Sequence, residues 1–186
     1  MRIEVSFDEV NAVLNLYKMN TKIEEKTGAL QFGNLPVIWA RAEIMADLYT
    51  ELESLVGASA AAVMKRIGKA YGEKFYDMLA TGNTSLFIDD KEKLYKYICS
   101  ETQAIGWGKI VIEDDGETIT LTSPGFAAGR CQKLVGIVRD TPIDSYFFGY
   151  FEGFFGKVKG EKLVGEEVEC VSMGHEQCKL VFKTER

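Results

Sequence analysis

Seven of the eleven residues from 145 to 155 are aromatic: Tyr146, Phe147, Phe148, Tyr150, Phe151, Phe154 and Phe155. Projected at about 100° per residue, Phe147, Phe148, Phe151, Phe154 and Phe155 share one helical face with Asp144. Gly149, Gly153 and Gly156 fall on the opposite side. The ring face needs apolar neighbours, and the glycine face lets a second backbone come close. Such a helix is stable only with both sides covered, so the rest of the chain must wrap around it. At 186 residues the chain is long enough for one such core and short for two. Periodicity leaves two fates open for the rings. An aromatic stripe at helical spacing is more often dry core, while rigid rings also suit a cavity that holds an apolar ligand. Thr141-Pro142-Ile143-Asp144 has the form of the helix start. Thr141 would be the N-cap, Pro142 the first helical residue, and Asp144 would reach back as in a capping box.

Elsewhere the apolar spacing is equally directive. Ile44, Leu48, Leu52 and Leu55, with Gly57 as a stop, predict an amphipathic helix within 36–56. A second helix from Ser59 to about Leu79 is expected to bury Val63, Ile67, Ala70, Tyr71, Phe75 and Met78. The short link makes these two antiparallel neighbours. A third helix runs from about Asp90 to Ile105 on Leu94, Ile98 and Cys99. The period then changes to two. Residues 108–113 and 118–122 flank Asp114-Asp115-Gly116-Glu117 and predict a β-hairpin. Residues 123–130 are expected to form a loop and 134–138 a strand. Two further strands are expected within 163–182, around Gly174-His175-Glu176. Near the start, Ile3 to Phe7 alternates like an edge strand and Val10 to Tyr17 is helical in spacing. No linker or repeat divides the chain. The predicted class is α+β: several helices packed on an antiparallel sheet, ending in a helix plus β-hairpin.

Composition narrows function. The net charge of −6 argues against a nucleic-acid or anionic-membrane surface. No apolar run approaches the roughly 20 residues of a membrane span. The first residues lack a signal core, so a cytoplasmic protein with reduced thiols is expected. A single histidine, His175, removes most familiar catalytic schemes. No dinucleotide fingerprint or phosphate loop is present, and Gly125-Phe126-Ala127-Ala128-Gly129 is neither, so no catalytic residue is assigned. Of the four cysteines, Cys99 reads as a buried small residue and Cys131 has no evident partner.

The other two stand in a pattern. Glu167, Cys170 and Cys178 form E-x-x-C-x7-C, two thiolates and a carboxylate of the kind zinc takes. A hairpin would bring the cysteines together. On a regular strand, however, Glu167 and Cys170 face opposite sides unless a bulge or turn intervenes. His175 is a further candidate ligand, or simply a solvated turn residue.

At these residues the chain resembles the 4-vinyl reductase domain family. The resemblance rests on Gly149-Tyr150-Phe151-Glu152-Gly153, Gly156-Lys157, Glu167-Val168-Glu169-Cys170, Met173-Gly174-His175 and Cys178. More loosely, it extends over the helices 43–57 and 59–78 with Gly68 and Gly72. It implies a single domain over 1–186, with 1–34 as an N-terminal extension to a core of 35–186. It further implies kinship with the sensory domains of phenol- and xylene-responsive activators and with the fold of vesicle-tethering complex subunits. In those sensors a structural zinc ties the last hairpin to the preceding helix. By position the implied ligands are Asp144, Glu167, Cys170 and Cys178, with Asp144 standing where the family has cysteine. Four protein ligands leave no open position for catalysis.

The function expected on this basis is a stand-alone binding domain for a small apolar or aromatic molecule. Its pocket candidates are Trp107, Tyr146, Phe147, Phe151, Phe154 and Phe155. Homodimerisation is implied as well. Two alternatives stand beside this: an interaction module, in which the Gly68–Gly72 face meets a partner copy, and an accessory role in tetrapyrrole vinyl reduction.

Overall fold

The computed structural model describes residues 1–81 and 88–185. In chain order the elements are β1 (Arg2–Ile3), α1 (Phe7–Asn20), β2 (Thr21–Ile23), β3 (Leu30–Phe32), β4 (Leu35–Val37), α2 (Glu43–Val56), α3 (Ser59–Thr81), α4 (Lys91–Ala104), β5 (Val111–Asp114), β6 (Thr118–Ser123), α5 (Ala127–Leu134), α6 (Ser145–Lys159), β7 (Leu163–Glu169), a 3₁₀ turn (Val171–Met173) and β8 (Cys178–Thr184). The main sheet is antiparallel with order β1-β5-β6-β8-β7, and β2-β3-β4 form a small second sheet. This is the α+β arrangement the patterning predicts. In β6 the threonines face out, while Ile119, Leu121 and Ser123 are buried.

α6 is the helix around which the fold is built. Residues 147–155 are all buried. On its ring side, Phe148 and Phe155 meet Phe182 of β8, with centroids 5.4 and 5.6 Å apart. On its glycine side it lies against α3 in mutual close approach. A Cβ on Gly149 would stand 2.0 Å from the Lys65 carbonyl oxygen, and one on Gly153 would stand 2.3 Å from that of Lys69. Reciprocally, a Cβ on Gly68 or Gly72 would stand 2.0 Å from the carbonyl oxygen of Tyr146 or Tyr150. Glu152, almost fully buried, closes the crossing with Lys65 at 2.7 Å and Lys69 at 3.0 Å. The Gly68–Gly72 face is therefore spent within the chain rather than on a partner copy.

That packing shifts the stripe expected on α3, of which Phe75 alone is buried. Its buried residues are Ala60, Met64, Gly68, Gly72, Phe75 and Leu79, whereas Val63, Ile67, Tyr71 and Met78 are exposed. α2 starts at Glu43, because Pro36 lies in β4. It buries Ala46 and Tyr49 and leaves Ile44, Leu48 and Leu55 outside. The expected loop at 123–130 instead turns into α5, whose first residues are buried. Residues 134–138 form no strand, since α5 ends at Leu134 and a turn follows. α1 covers the helical spacing at Val10–Tyr17, whereas the strand expected from Ile3 to Phe7 shrinks to Arg2–Ile3, an edge strand paired with β5, because Ser6 caps α1 and Phe7 opens it.

Candidate metal centre and aromatic assembly

The end of the chain converges on the start of α6. β7 pairs with β8 in register down to Glu167, where the register shifts, so that Glu169 rather than Val168 opposes Lys179. This bulge lets Glu167 and Cys170 point to the same place, which a regular strand forbids. The 3₁₀ turn then folds the chain back so that Cys178 begins β8 beside Cys170. Both cysteines are free and fully buried.

Asp144 meets them from the other side. α6 begins at Ser145, so the capping box expected around Thr141 does not form, and the Asp144 side chain makes no capping hydrogen bond to its own helix. It is fully buried, with Oδ1 accepting from the Gly129 N–H at 3.0 Å. Oδ2 lies 3.4 Å from the sulfur of Cys170 and 3.4 Å from that of Cys178. Gly129 is required here, because a Cβ would stand 2.6 Å from Oδ2. One candidate ligand atom from each of Asp144, Glu167, Cys170 and Cys178 falls within 4.8 Å of the others.

The electrostatics of this cluster are those of acidic groups buried together. Burial pushes the Asp144 carboxyl up. Burial, then the nearby charges of Cys170 and Asp144, pushes Glu167 up to about 11. Cys170 is raised by its contact with Cys178 and by burial. Glu167 Oε1 is buried with no hydrogen-bond partner. Two sulfurs and two carboxylates, one of them with an orphaned oxygen, suit a divalent cation, whose charge would oppose these shifts. His175 stays outside the cluster; its Nδ1 lies 3.1 Å from the main-chain N and O of Cys170. Cys99 is in the core, where burial raises its thiol to about 12, and Cys131 is half-buried.

All six aromatic candidates join one assembly. Trp107 packs edge-on to Tyr146, Phe147 and Tyr150 at 5.8, 5.2 and 4.9 Å. Phe147 stacks on Phe126 at 5.4 Å, while Phe155 contacts Phe151 and Phe154, each of which contacts Tyr150. The rings touch, so a guest among them has to part some of these contacts. The assembly reaches the surface at Tyr71, which is 46% exposed and packs 6.3 Å from Trp107.

Sequence reasoning passed over Glu101. It lies on α4, three residues beyond Ile98 and seven beyond Leu94, both fully buried. An acid on that apolar stripe was the available signal. Glu101 is 3% exposed, and the Tyr17 hydroxyl donates to its Oε1 at 3.0 Å. Burial raises its carboxyl to about 7.

Residues 140–184 match the family model of the 4-vinyl reductase domain. No curated protein matches the chain. Among solved structures, the phenol-responsive sensory domain of the transcription activator PoxR, solved with phenol, is similar at 17% identity. That match has a TM-score of 0.70 and covers 97% of this chain and 92% of the other. A trafficking protein particle complex subunit 3 from Naegleria fowleri, covalently bound to palmitic acid, is similar at 13% identity and TM-score 0.55, covering 78% and 95%. A vinyl-4-reductase family protein from Methanocaldococcus jannaschii gives 20% identity and TM-score 0.45, covering 74% and 80%. Residues 140–184 thus carry the 4-vinyl reductase domain match, on a fold shared with a phenol-responsive sensory domain and a trafficking-complex subunit.

Proposed function

We propose that this chain is a sensor-like binding domain for a small apolar or aromatic molecule. In this reading one unit spans 1–186, and a structural zinc ion is held by Asp144, Glu167, Cys170 and Cys178. The observation that carries the proposal is the placement of α6. Its N-terminal end contributes Asp144 to the four-residue cluster, and its next three turns carry the ring assembly. An ion at the cluster would supply no chemistry beyond charge neutralisation, because four protein ligands saturate a tetrahedral zinc. It would tie β7, β8 and α6 together, so that the rings rest on a fixed frame. Likeness of fold to a phenol-binding sensory domain supports the ligand class.

Two measurements test this. Metal analysis of purified protein should find one zinc per chain, lost in Cys170→Ser and Cys178→Ser; unchanged metal content in both variants would sink the ligand set. Thermal-shift screening against phenols, toluene, fatty acids and porphyrins should raise the melting temperature with an aromatic class, since ligands that bind only the folded state stabilise it. Absence of any shift would sink the binding reading.

A second reading is favoured by one observation. Leu48 and Leu55 of α2 and Val63 and Ile67 of α3 are exposed apolar side chains on two helices packed against each other. A homodimer through these helices covers them, and the domain would then act by contact with further proteins.

A further inference from the structure

Glu101 has one carboxylate oxygen that the fold does not use. Oε1 receives the Tyr17 hydroxyl, but Oε2 is buried with no hydrogen-bond partner. Among the described residues no lysine or arginine forms an ion pair with it. A buried polar atom left unpaired is destabilising, and a leucine or methionine here would avoid that penalty. Phenols drawn from four helices feel the charge of the Glu101 carboxylate: Tyr17 of α1, which is hydrogen-bonded to it, Tyr71 of α3, Tyr97 of α4 and Tyr150 of α6. Each hydroxyl is raised by burial first and by the Glu101 charge second.

Tyr71, Trp107 and Tyr150 form a mutually contacting triad, with centroids 6.3, 5.7 and 4.9 Å apart. Tyr71 is at the surface and Tyr150 is fully buried, so the triad leads inward. Ring faces attract a cation, most strongly when it is desolvated, and a carboxylate behind them supplies the counter-charge.

We propose that Glu101 is the anchor of an amine-binding subsite, pairing through Oε2 with the ammonium of a small aromatic or apolar amine whose body lies against Tyr71, Trp107 and Tyr150. The proposal rests on the ligand-binding reading and narrows it, because a pure hydrocarbon leaves Oε2 as it is. The proton balance closes without a further reagent. If Glu101 is protonated and the amine neutral, the proton passes from Oε2 to nitrogen. If both are already charged, none moves. Tyr17 holds Oε1 in either case, which keeps Oε2 directed at the guest.

The test compares benzylamine, phenol and toluene, probes of similar size, by calorimetry on the full chain. Benzylamine should bind at least tenfold tighter than toluene, as expected for a hydrogen-bonded charge pair made in place of an orphaned acceptor. Glu101→Gln should cost benzylamine about tenfold or more and leave toluene within about twofold. Tyr71→Leu, at the exposed rim, provides a second variant should the first fail to fold; it should weaken benzylamine more than toluene. Equal binding of benzylamine and toluene, or a benzylamine affinity indifferent to Glu101→Gln, overturns the subsite and leaves the aromatic-binding reading intact. Phenol binding tighter than benzylamine overturns the amine assignment. Failure of all three probes to bind removes both.

Discussion

Gly149 of α6 and Lys65 of α3 approach so closely that a Cβ on the glycine would stand 2.0 Å from the lysine carbonyl oxygen. Gly68, Gly72 and Gly153 repeat the relationship along the same crossing. The obstructing atoms are backbone, which cannot rotate aside as a flexible side chain does. Gly149→Ala should therefore separate two buried helices and cost about 3 kcal/mol or more, above the usual range for overpacking. Gly156→Ala is the control. Its nearest obstruction is the Glu161 carbonyl oxygen at 3.2 Å. The gain in helix propensity, about 1 kcal/mol, offsets that contact. Urea denaturation of both variants reads the contrast, and a Gly149→Ala midpoint equal to wild type would mean the crossing is looser than described.

The Asp144 carboxylate stands where two thiols and a glutamate converge, and its oxygen is a harder donor than sulfur. If the cluster holds zinc, Asp144→Cys should tighten the ion, read as slower loss to a chromophoric chelator. Asp144→Asn should loosen it while keeping the Gly129 hydrogen bond. Chelation of the wild type should lower the melting temperature, and added zinc should restore it. Saturation a thousandfold above the dissociation constant is worth about 4 kcal/mol. A melting temperature blind to chelator would count against a structural ion.

Periodicity located the helices other than α5 and the strands of the main sheet, missed β2, β3 and β4, and misjudged which faces α2 and α3 bury. On α3 the apolar residues Val63, Ile67 and Tyr71 outscore Gly68 and Gly72, yet the glycines are the contact surface, because only they admit the α6 backbone. On α2 the leucines likewise advertise a core that Ala46 and Tyr49 provide; Tyr49 lies under the Arg139 guanidinium at 5.2 Å. Hydrophobicity tells which face avoids water, and says nothing of whether the same chain covers it. The site was more legible. Glu167, Cys170 and Cys178 share a spacing that only a bulge reconciles with one focus, and the bulge is there. Asp144 entered by resemblance alone, since its own neighbours read as a helix cap. α5, which carries Gly129 up to Asp144, lay inside what reads as a glycine-rich loop.

The outward leucines and isoleucines of α2 and α3 lead to a prediction about assembly. Leu48 is 52% exposed, Leu55 80% and Ile67 52%. If a second copy covers them, the double substitution Leu48→Glu and Ile67→Glu should convert dimer to monomer by light scattering. Fold stability at low concentration should change little, because neither residue packs in the core. A wild-type protein that is monomeric at high micromolar concentration would dispose of the dimer.

Glu101 gives the stability of the domain a pH dependence with a definite sign. Its carboxyl is raised from 4.5 to about 7 by burial, opposed by the Tyr17 hydroxyl. The other phenols that feel its charge, Tyr71, Tyr97 and Tyr150, are raised further by burial and stay neutral throughout this range. Between these two pKa values the folded state holds a proton that the unfolded state has released. Stability therefore falls as pH rises through that window and levels off above about 7. The shift corresponds to up to about 3 kcal/mol. Glu101→Gln removes the titration, so the difference in unfolding free energy between variant and wild type should widen from pH 5 to pH 8 in the variant's favour. A difference that stays constant over that range would place the Glu101 carboxylate in contact with water or a cation.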